Sequence, residues 1–331
     1  MTVSSRPSKK KRAEALGRIA EEIRTGQRFL ISSHVNPEGD AIGSVLALSL
    51  ALKELGKEVE VLNQDPTPEV LTFLPGAGSI LHRAPENRQF DVAFALDCGD
   101  RERLGEEFAR VKEIGRIINI DHHVSNDLFG DINVVDPAAS STAEMIHDLL
   151  RRIPAKMTPE VAENIYVGIL TDTGSFHYSN TSPKTFAVAR ACLLAGVDAW
   201  RVAERVYENQ PLARLRLLPL VLGTLEVAEG GRVSSVVISQ RMMDETAASP
   251  AMTEDFINFP RSLKRVEVAL LFRELSPEQY RVSLRSRGSV DAARIAQEFR
   301  GGGHPKAAGC TVEGSLAEVK TKVLERVRAA L

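Results

Sequence analysis

The chain is short of cysteine, has a single tryptophan and carries no long apolar run. Each shortage excludes something. The three cysteines, Cys98, Cys192 and Cys310, are odd in number and far apart, so neither a disulfide framework nor a Cys-x-x-Cys metal site is indicated. A cytoplasmic, reducing location is expected. No stretch is long and apolar enough to cross a bilayer, so no membrane partner is expected. The basic opening segment MTVSSRPSKKKR lacks the apolar core of a secretory signal, and residues 1–14 are expected to be a disordered, solvated tail. Excess charge is missing too, with a formal net charge of −2. Proteins that grip long nucleic acid usually carry a strong positive excess, so long duplexes are not expected as partners. No G-x-G-x-x-G follows the first apolar run, which removes a dinucleotide-cofactor fold.

What is present reads as an ordinary globular protein of two domains. The 331 residues are 43% hydrophobic and 26% charged, and that length exceeds one ordinary core. Apolar runs at 27–34, 57–63, 90–99 and 116–123 read as strands, and 40–56 between them reads as a helix. This alternation predicts an α/β class, with an N-terminal, mostly parallel sheet flanked by helices. From 141 to 229 the pattern is helical, including a long helix predicted over 212–231. The remainder reads as a smaller C-terminal α/β domain, with strands at 232–239, 266–275 and 280–287 and a helix at 290–299.

Histidine and carboxylate residues cluster at the carboxyl ends of the predicted strands. His34, Asp97 and Asp121 each end one, and that edge is where open α/β sheets bind ligands. Glu38 and Asp40 follow His34, His122 and His123 follow Asp121, and Asp172 lies in TDTGSF. Taken singly, each residue reads as a helix cap or a satisfied core group. Together, converging carboxylates would repel one another, so a positive charge must sit among them. Mixed imidazole and carboxylate donors suit a divalent transition metal, Mn²⁺ ahead of an all-oxygen Mg²⁺ cage. There are donors enough for two ions sharing one carboxylate, and two ions about 3.5–4 Å apart clamp a phosphoryl group for in-line displacement.

The stretches HVNPEGDAIGS, ALDCGD, NIDHHVSN and GILTDTGSFHYSNT resemble, in order, the four catalytic motifs of the DHH phosphoesterase family. RSR at 285–287 and GGGHPKAAG at 301–309 resemble the substrate-binding signature of its DHH-associated C-terminal domain. Size and arrangement resemble the stand-alone nanoRNase/pAp phosphatase branch. The resemblance implies a catalytic domain over 15–195, a helical linker over 196–215 and a substrate-binding domain over 216–331. It implies two Mn²⁺ ions, with Mg²⁺ or Co²⁺ as substitutes. His34 and Glu38 would bind the first ion, although the family has Asp where this chain has Glu38. Asp40, His122 and Asp172 would bind the second, and Asp97 would bridge both. Asp121 would orient an imidazole, and His123 would meet the scissile phosphate.

The same resemblance assigns substrate binding to Arg285, Arg287, Gly301, Gly302, Gly303 and His304. Arginine forks suit phosphate, and glycines let backbone N–H groups approach an anion. The implied substrates are oligoribonucleotides of a few residues or a nucleoside bisphosphate such as 3′-phosphoadenosine 5′-phosphate (pAp), cleaved by water activated between the ions. Linear dinucleotides of the pApA or pGpG kind are a second expectation. A non-catalytic nucleotide-binding module with a degenerate first metal site is a third. A homodimer is compatible with all of them. A family II inorganic pyrophosphatase would share the metal motifs but lack the GGGH signature.

Overall fold

A computed structural model describes residues 9–331, without the side chains of Lys9, Lys10 and His304. The chain divides between Asn209 and Gln210, inside the segment expected as a linker.

In the first unit, helix α1 (Lys9–Thr25) precedes β1 (Arg28–Ser32), α2 (Gly39–Glu54), β2 (Glu58–Leu62), β3 (Ile80–Leu81) and β4 (Gln89–Leu96). Then come α3 (Gly105–Arg110), β5 (Glu113–Asp121) and β6 (Ile132–Val135), followed by α4 (Thr142–Leu150), α5 (Pro159–Asp172), α6 (Pro183–Leu194) and α7 (Ala199–Ala203). All six strands are parallel, in the order β3-β2-β1-β4-β5-β6. The tail expected over 1–14 is corrected from Lys9 onward, while residues 1–8 lie outside the described residues. Helix α1 holds this segment because Leu16, Ile19 and Ile23 are buried in the core, and Arg12 pairs with Asp136 and Asp148.

Alternate residues of the central strands face opposite sides, as strand geometry requires. Phe29, Ile31, Val92, Phe94, Leu96, Ile118 and Ile120 enter the large core shared with α1, α2, α4 and α5. Leu30, Ala93 and Ala95 enter a smaller cluster with Leu104 and Phe108 on the other face. Both faces are covered, one far more thickly. Each fully buried large apolar side chain contributes about 1.5–3 kcal/mol relative to exposure. Strand order reverses between β1 and β4, and the crevice at such a switch point is where open sheets bind ligands.

The second unit runs α8 (Leu212–Leu222), β7 (Glu226–Ala228), β8 (Val233–Ile238), α9 (Gln240–Thr246) and α10 (Asn258–Arg261). It continues with β9 (Val268–Ser276), β10 (Gln279–Ser286), α11 (Ala292–Gln297), β11 (Gly302–His304), β12 (Ala307–Glu313) and α12 (Leu316–Ala330). Its sheet has the order β11-β12-β10-β9-β8-β7, parallel at β8–β9 and antiparallel elsewhere. The helix predicted over 212–231 is shorter than expected. It stops at Leu222, and Val227 pairs instead with Ser234 in β7–β8. Among the described residues no helix is long and apolar enough to cross a membrane.

Candidate metal centre and substrate-binding elements

The first unit delivers its functional side chains from the carboxyl edge of the sheet. His34 lies just past β1, Asp97 directly follows β4, and Asp121 is the last residue of β5. Asp97 adopts a left-handed backbone (φ 55°), a conformation Asp tolerates better than most residues. The turn drives its carboxylate into the centre, where it is 1% exposed. Asp40 sits in the first turn of α2 and is fully buried. The amides of Thr142 and Ala143, at the start of α4, donate to its two oxygens at 2.6 and 2.8 Å. Asp172 ends α5 and is held by the Asn180 amide at 3.1 Å. Helix α5 can come this close only because residue 168 is glycine. A Cβ there would lie 2.6 Å from Ala143 Cβ and 2.9 Å from Asp40 Oδ1.

Three overlapping donor groups result: His34–Glu38–Asp97, Asp40–His122–Asp172 and Asp97–His122–His123. His34 Nε2 lies 3.1 Å from Glu38 Oε1 and 3.7 Å from Asp97 Oδ2. His122 Nε2 lies 3.6 Å from Asp97 Oδ1, 3.8 Å from Asp40 Oδ2 and 3.8 Å from Asp172 Oδ2. The two oxygens of Asp97 therefore face different groups. Glu38, despite its extra methylene, presents a carboxylate oxygen to the first of them. It is the residue preceding α2 and spends no side-chain bond on capping that helix.

The outer ring of contacts fixes ring orientation. His34 Nδ1 meets the Val35 carbonyl at 2.7 Å, leaving Nε2 to point inward. Asp121 Oδ1 lies 2.6 Å from His123 Nδ1 and accepts the His122 amide at 2.8 Å. Asn126 donates to Asp121 Oδ2 at 2.7 Å. Asp121 thus spends its oxygens on neighbours and fixes the His123 ring through Nδ1.

The electrostatics show a centre short of positive charge. Burial, together with the charges of Asp97 and Asp172, holds the Asp40 carboxyl well above the usual range, although two backbone amides oppose this. Asp172 is pushed up to about 6, by burial first and then by Asp97 and Glu38, against the pull of His122. Asp97 goes the other way. Burial opposes its ionisation, but the imidazoles of His34, His123 and His122 outweigh it. His34 and His123 resist the effect of burial and are raised to about 10 and about 9 by the carboxylates beside them. Arg103 pulls His123 slightly back. Asp97 Oδ2 is buried with no hydrogen-bond partner among the described residues. A buried carboxylate oxygen is not left unpaired without cost. A cation between the donor groups would occupy that oxygen and relieve the crowded carboxylates, so these residues fit divalent metal.

In the second unit, Arg285 lies on β10, opposite Ala307 of β12, and is half-buried. Arg287 falls one residue beyond the strand and is exposed; its amide donates to the Glu267 carbonyl. Gly302 and Gly303 pair with Gly309 and Ala308 in the β11–β12 hairpin, so the structure brings this segment within one strand of Arg285. A Cβ at Gly301 would lie 2.2 Å from the Gly309 carbonyl oxygen. At Gly303 (φ 138°) it would lie 2.5 Å from that of Ala307, and at Gly302 it would meet open space. The side chain of His304 lies outside the described residues.

Sequence reasoning missed the groups that only position others: Thr142, Asn126, Asn180 and Gly168. Gly168, Asn126 and Asn180 lie inside the motif stretches quoted above, but the letters do not say what each holds, and Thr142 reaches partners 102 and 45 positions away. Ser141 and Thr142 read only as a helix start.

The N-terminal domain model of the DHH family matches residues 28–169, and the DHHA1 domain model matches residues 234–331. A bifunctional oligoribonuclease and PAP phosphatase NrnA of Thermus thermophilus is 37% identical over 320 residues, spanning 96% of this chain and 95% of that protein. The chain belongs to the DHH phosphoesterase family. A protein of the same description from Bacillus subtilis is 27% identical, over 86% of this chain and 89% of its own length. Among solved structures, an exopolyphosphatase-related protein from Bacteroides fragilis superposes with a TM-score of 0.88 at 29% identity, covering 96% of each chain. The His and Asp residues at the β1, β4 and β5 ends fall within the residues that the DHH model matches.

Proposed function

We propose that this protein hydrolyses short oligoribonucleotides, of two to five residues, and removes phosphate from pAp, using two divalent cations, Mn²⁺ foremost. The observation that carries the reading is the pair of donor groups sharing Asp97, in a chain similar along almost its whole length to an oligoribonuclease and PAP phosphatase. His34, Glu38 and Asp97 would hold one ion, and Asp40, His122, Asp172 and Asp97 the other. Cations bound there supply Lewis acidity and lower the pKa of water to near neutrality. The chain's own residues do the rest. Asp121 fixes the His123 ring through Nδ1, so Nε2 can donate to a phosphoryl oxygen as charge builds there. Arg285 and Arg287 would bind a second phosphate of the substrate, with Gly302 offering backbone to an anion and His304 beside it. Residues 15–195 would form the catalytic domain, and residues 216–331 would bind substrate. The buried free cysteines suit a reducing cytoplasm.

A Mn²⁺-supplemented panel of RNAs of two to five residues, longer RNAs, pAp and linear dinucleotides tests this by product analysis. Mononucleotides from the short RNAs and AMP from pAp are expected. Turnover of pApA or pGpG alone would reassign the protein as a linear-dinucleotide phosphodiesterase. Binding without turnover on the whole panel would make it a nucleotide-binding module.

A further inference from the structure

Thr142 opens α4, is fully buried and touches two of the proposed ion-binding carboxylates at once. Its hydroxyl donates to Asp97 Oδ1 at 2.9 Å, and its amide donates to Asp40 Oδ2 at 2.6 Å. Both oxygens face His122 Nε2, at 3.6 and 3.8 Å, beside Asp172 Oδ2 at 3.8 Å. The oxygen that Asp97 turns toward His34, Oδ2, receives no such bond. One residue therefore grips the Asp40 and Asp97 oxygens that face His122 and neither carboxylate oxygen presented to His34.

A helix-capping role does not account for the hydroxyl. Ser141 is the N-cap, and its own side chain accepts the Glu144 amide. Any residue but proline at 142 would supply the amide bond to Asp40, but only serine or threonine also offers a hydroxyl one carbon from the backbone. The β-branch of threonine restricts its rotamer, so the hydroxyl stays aimed at Asp97. The task has a physical need behind it. Asp40 and Asp97 repel each other, and side chains held apart by repulsion must be tied if they are to share one cation.

We propose that Thr142 is a positioning residue that ties Asp97 to Asp40 and so sets the affinity of the second cation site, leaving the first unaffected. The proposal rests on the two-ion reading above. It is tested on the full chain and on Thr142→Val and Thr142→Ser, by calorimetric titration with Mn²⁺ and by the electron paramagnetic resonance of spin-coupled Mn²⁺ pairs. The unsubstituted protein and T142S should each bind two Mn²⁺ and give the coupled signal. T142V should keep the first affinity, bind the second ion about 10–100-fold more weakly, the usual effect of losing an outer partner, and lose the coupled signal at matched Mn²⁺. Unaltered binding of both ions by T142V would overturn the proposal. So would equal weakening of both ions, or a serine variant as defective as the valine one, since the methyl packing would then be what matters. Fewer than two Mn²⁺ on the unsubstituted protein would overturn the two-ion reading and this proposal with it. Should T142V fail to fold without metal, Thr142→Ala supplies the same comparison.

Discussion

The two units use their motif residues in different ways. In the first, the motif letters are chemical: His34, Asp40, Asp97, His122 and Asp172 turn their donor atoms on one another, and no demand of packing explains so many charges in one place. In the second, part of the motif is steric. Gly301 and Gly303 are glycines because β12 leaves no room for a Cβ. Only Gly302, with open space at its Cβ position, is a glycine that the hairpin does not require. A motif can therefore be highly specific for a family and still divide into residues that react, residues that bind and residues that merely let the backbone close.

The largest effect that would sharpen this contrast is expected at Asp97. Asp97→Ala should cut phosphoester hydrolysis on the order of a thousandfold, beyond the 10–100-fold of an outer partner, with the metal-free circular dichroism unchanged. Retained turnover would remove Asp97 from the centre. Next comes Gly303→Ala, which combines a strained φ with a clash and should destabilise the protein by about 3 kcal/mol. Gly302→Ala should stay within about 0.5 kcal/mol. Equal melting of the two variants would break the steric account of the hairpin. Arg285→Ala should raise KM for pAp about tenfold, as loss of a charged hydrogen bond does, and leave a simple chromogenic diester unaffected. An equal loss on both substrates would argue against a phosphate site there.

The smallest effect concerns the frame that holds α4. Burial pushes the Asp148 carboxyl up, but His147, Lys184 and Arg12 outweigh it and lower it to about 2. A carboxylate with a lowered folded-state pKa stabilises above its unfolded value, near 4, and loses that contribution as pH falls through 2. Asp148→Asn should thus cost about 1–2 kcal/mol at neutral pH. Urea midpoints of variant and parent should converge near pH 2. A gap that persisted in acid would mean that the asparagine disturbs packing instead.

The α/β class and the strand ends bearing His34, Asp97 and Asp121 were legible because β1, β4 and β5 are apolar runs buried on both faces. Strands β3 and β6 were not, being only two and four residues long. The helix predicted over 212–231 was too long because apolar residues continue past Leu222, and only pairing of β7 with β8 shows that they belong to a sheet. The donors of the centre could be named from sequence, since their chemistry is in their side chains. The positioning groups could not. Thr142 reaches Asp40 across 102 positions and Asp97 across 45, distances over which no periodicity speaks.

The left-handed turn at Asp97 has a practical consequence. Asparagine accepts that backbone as readily as aspartate, so Asp97→Asn removes the charge without disturbing the chain path. If Asp97 bridges two cations as proposed, the same backbone that aims the carboxylate makes position 97 the place to disarm the protein while keeping it intact. A chain arrested in this way can be offered short RNAs and pAp in turn, and whichever it retains identifies its natural cargo.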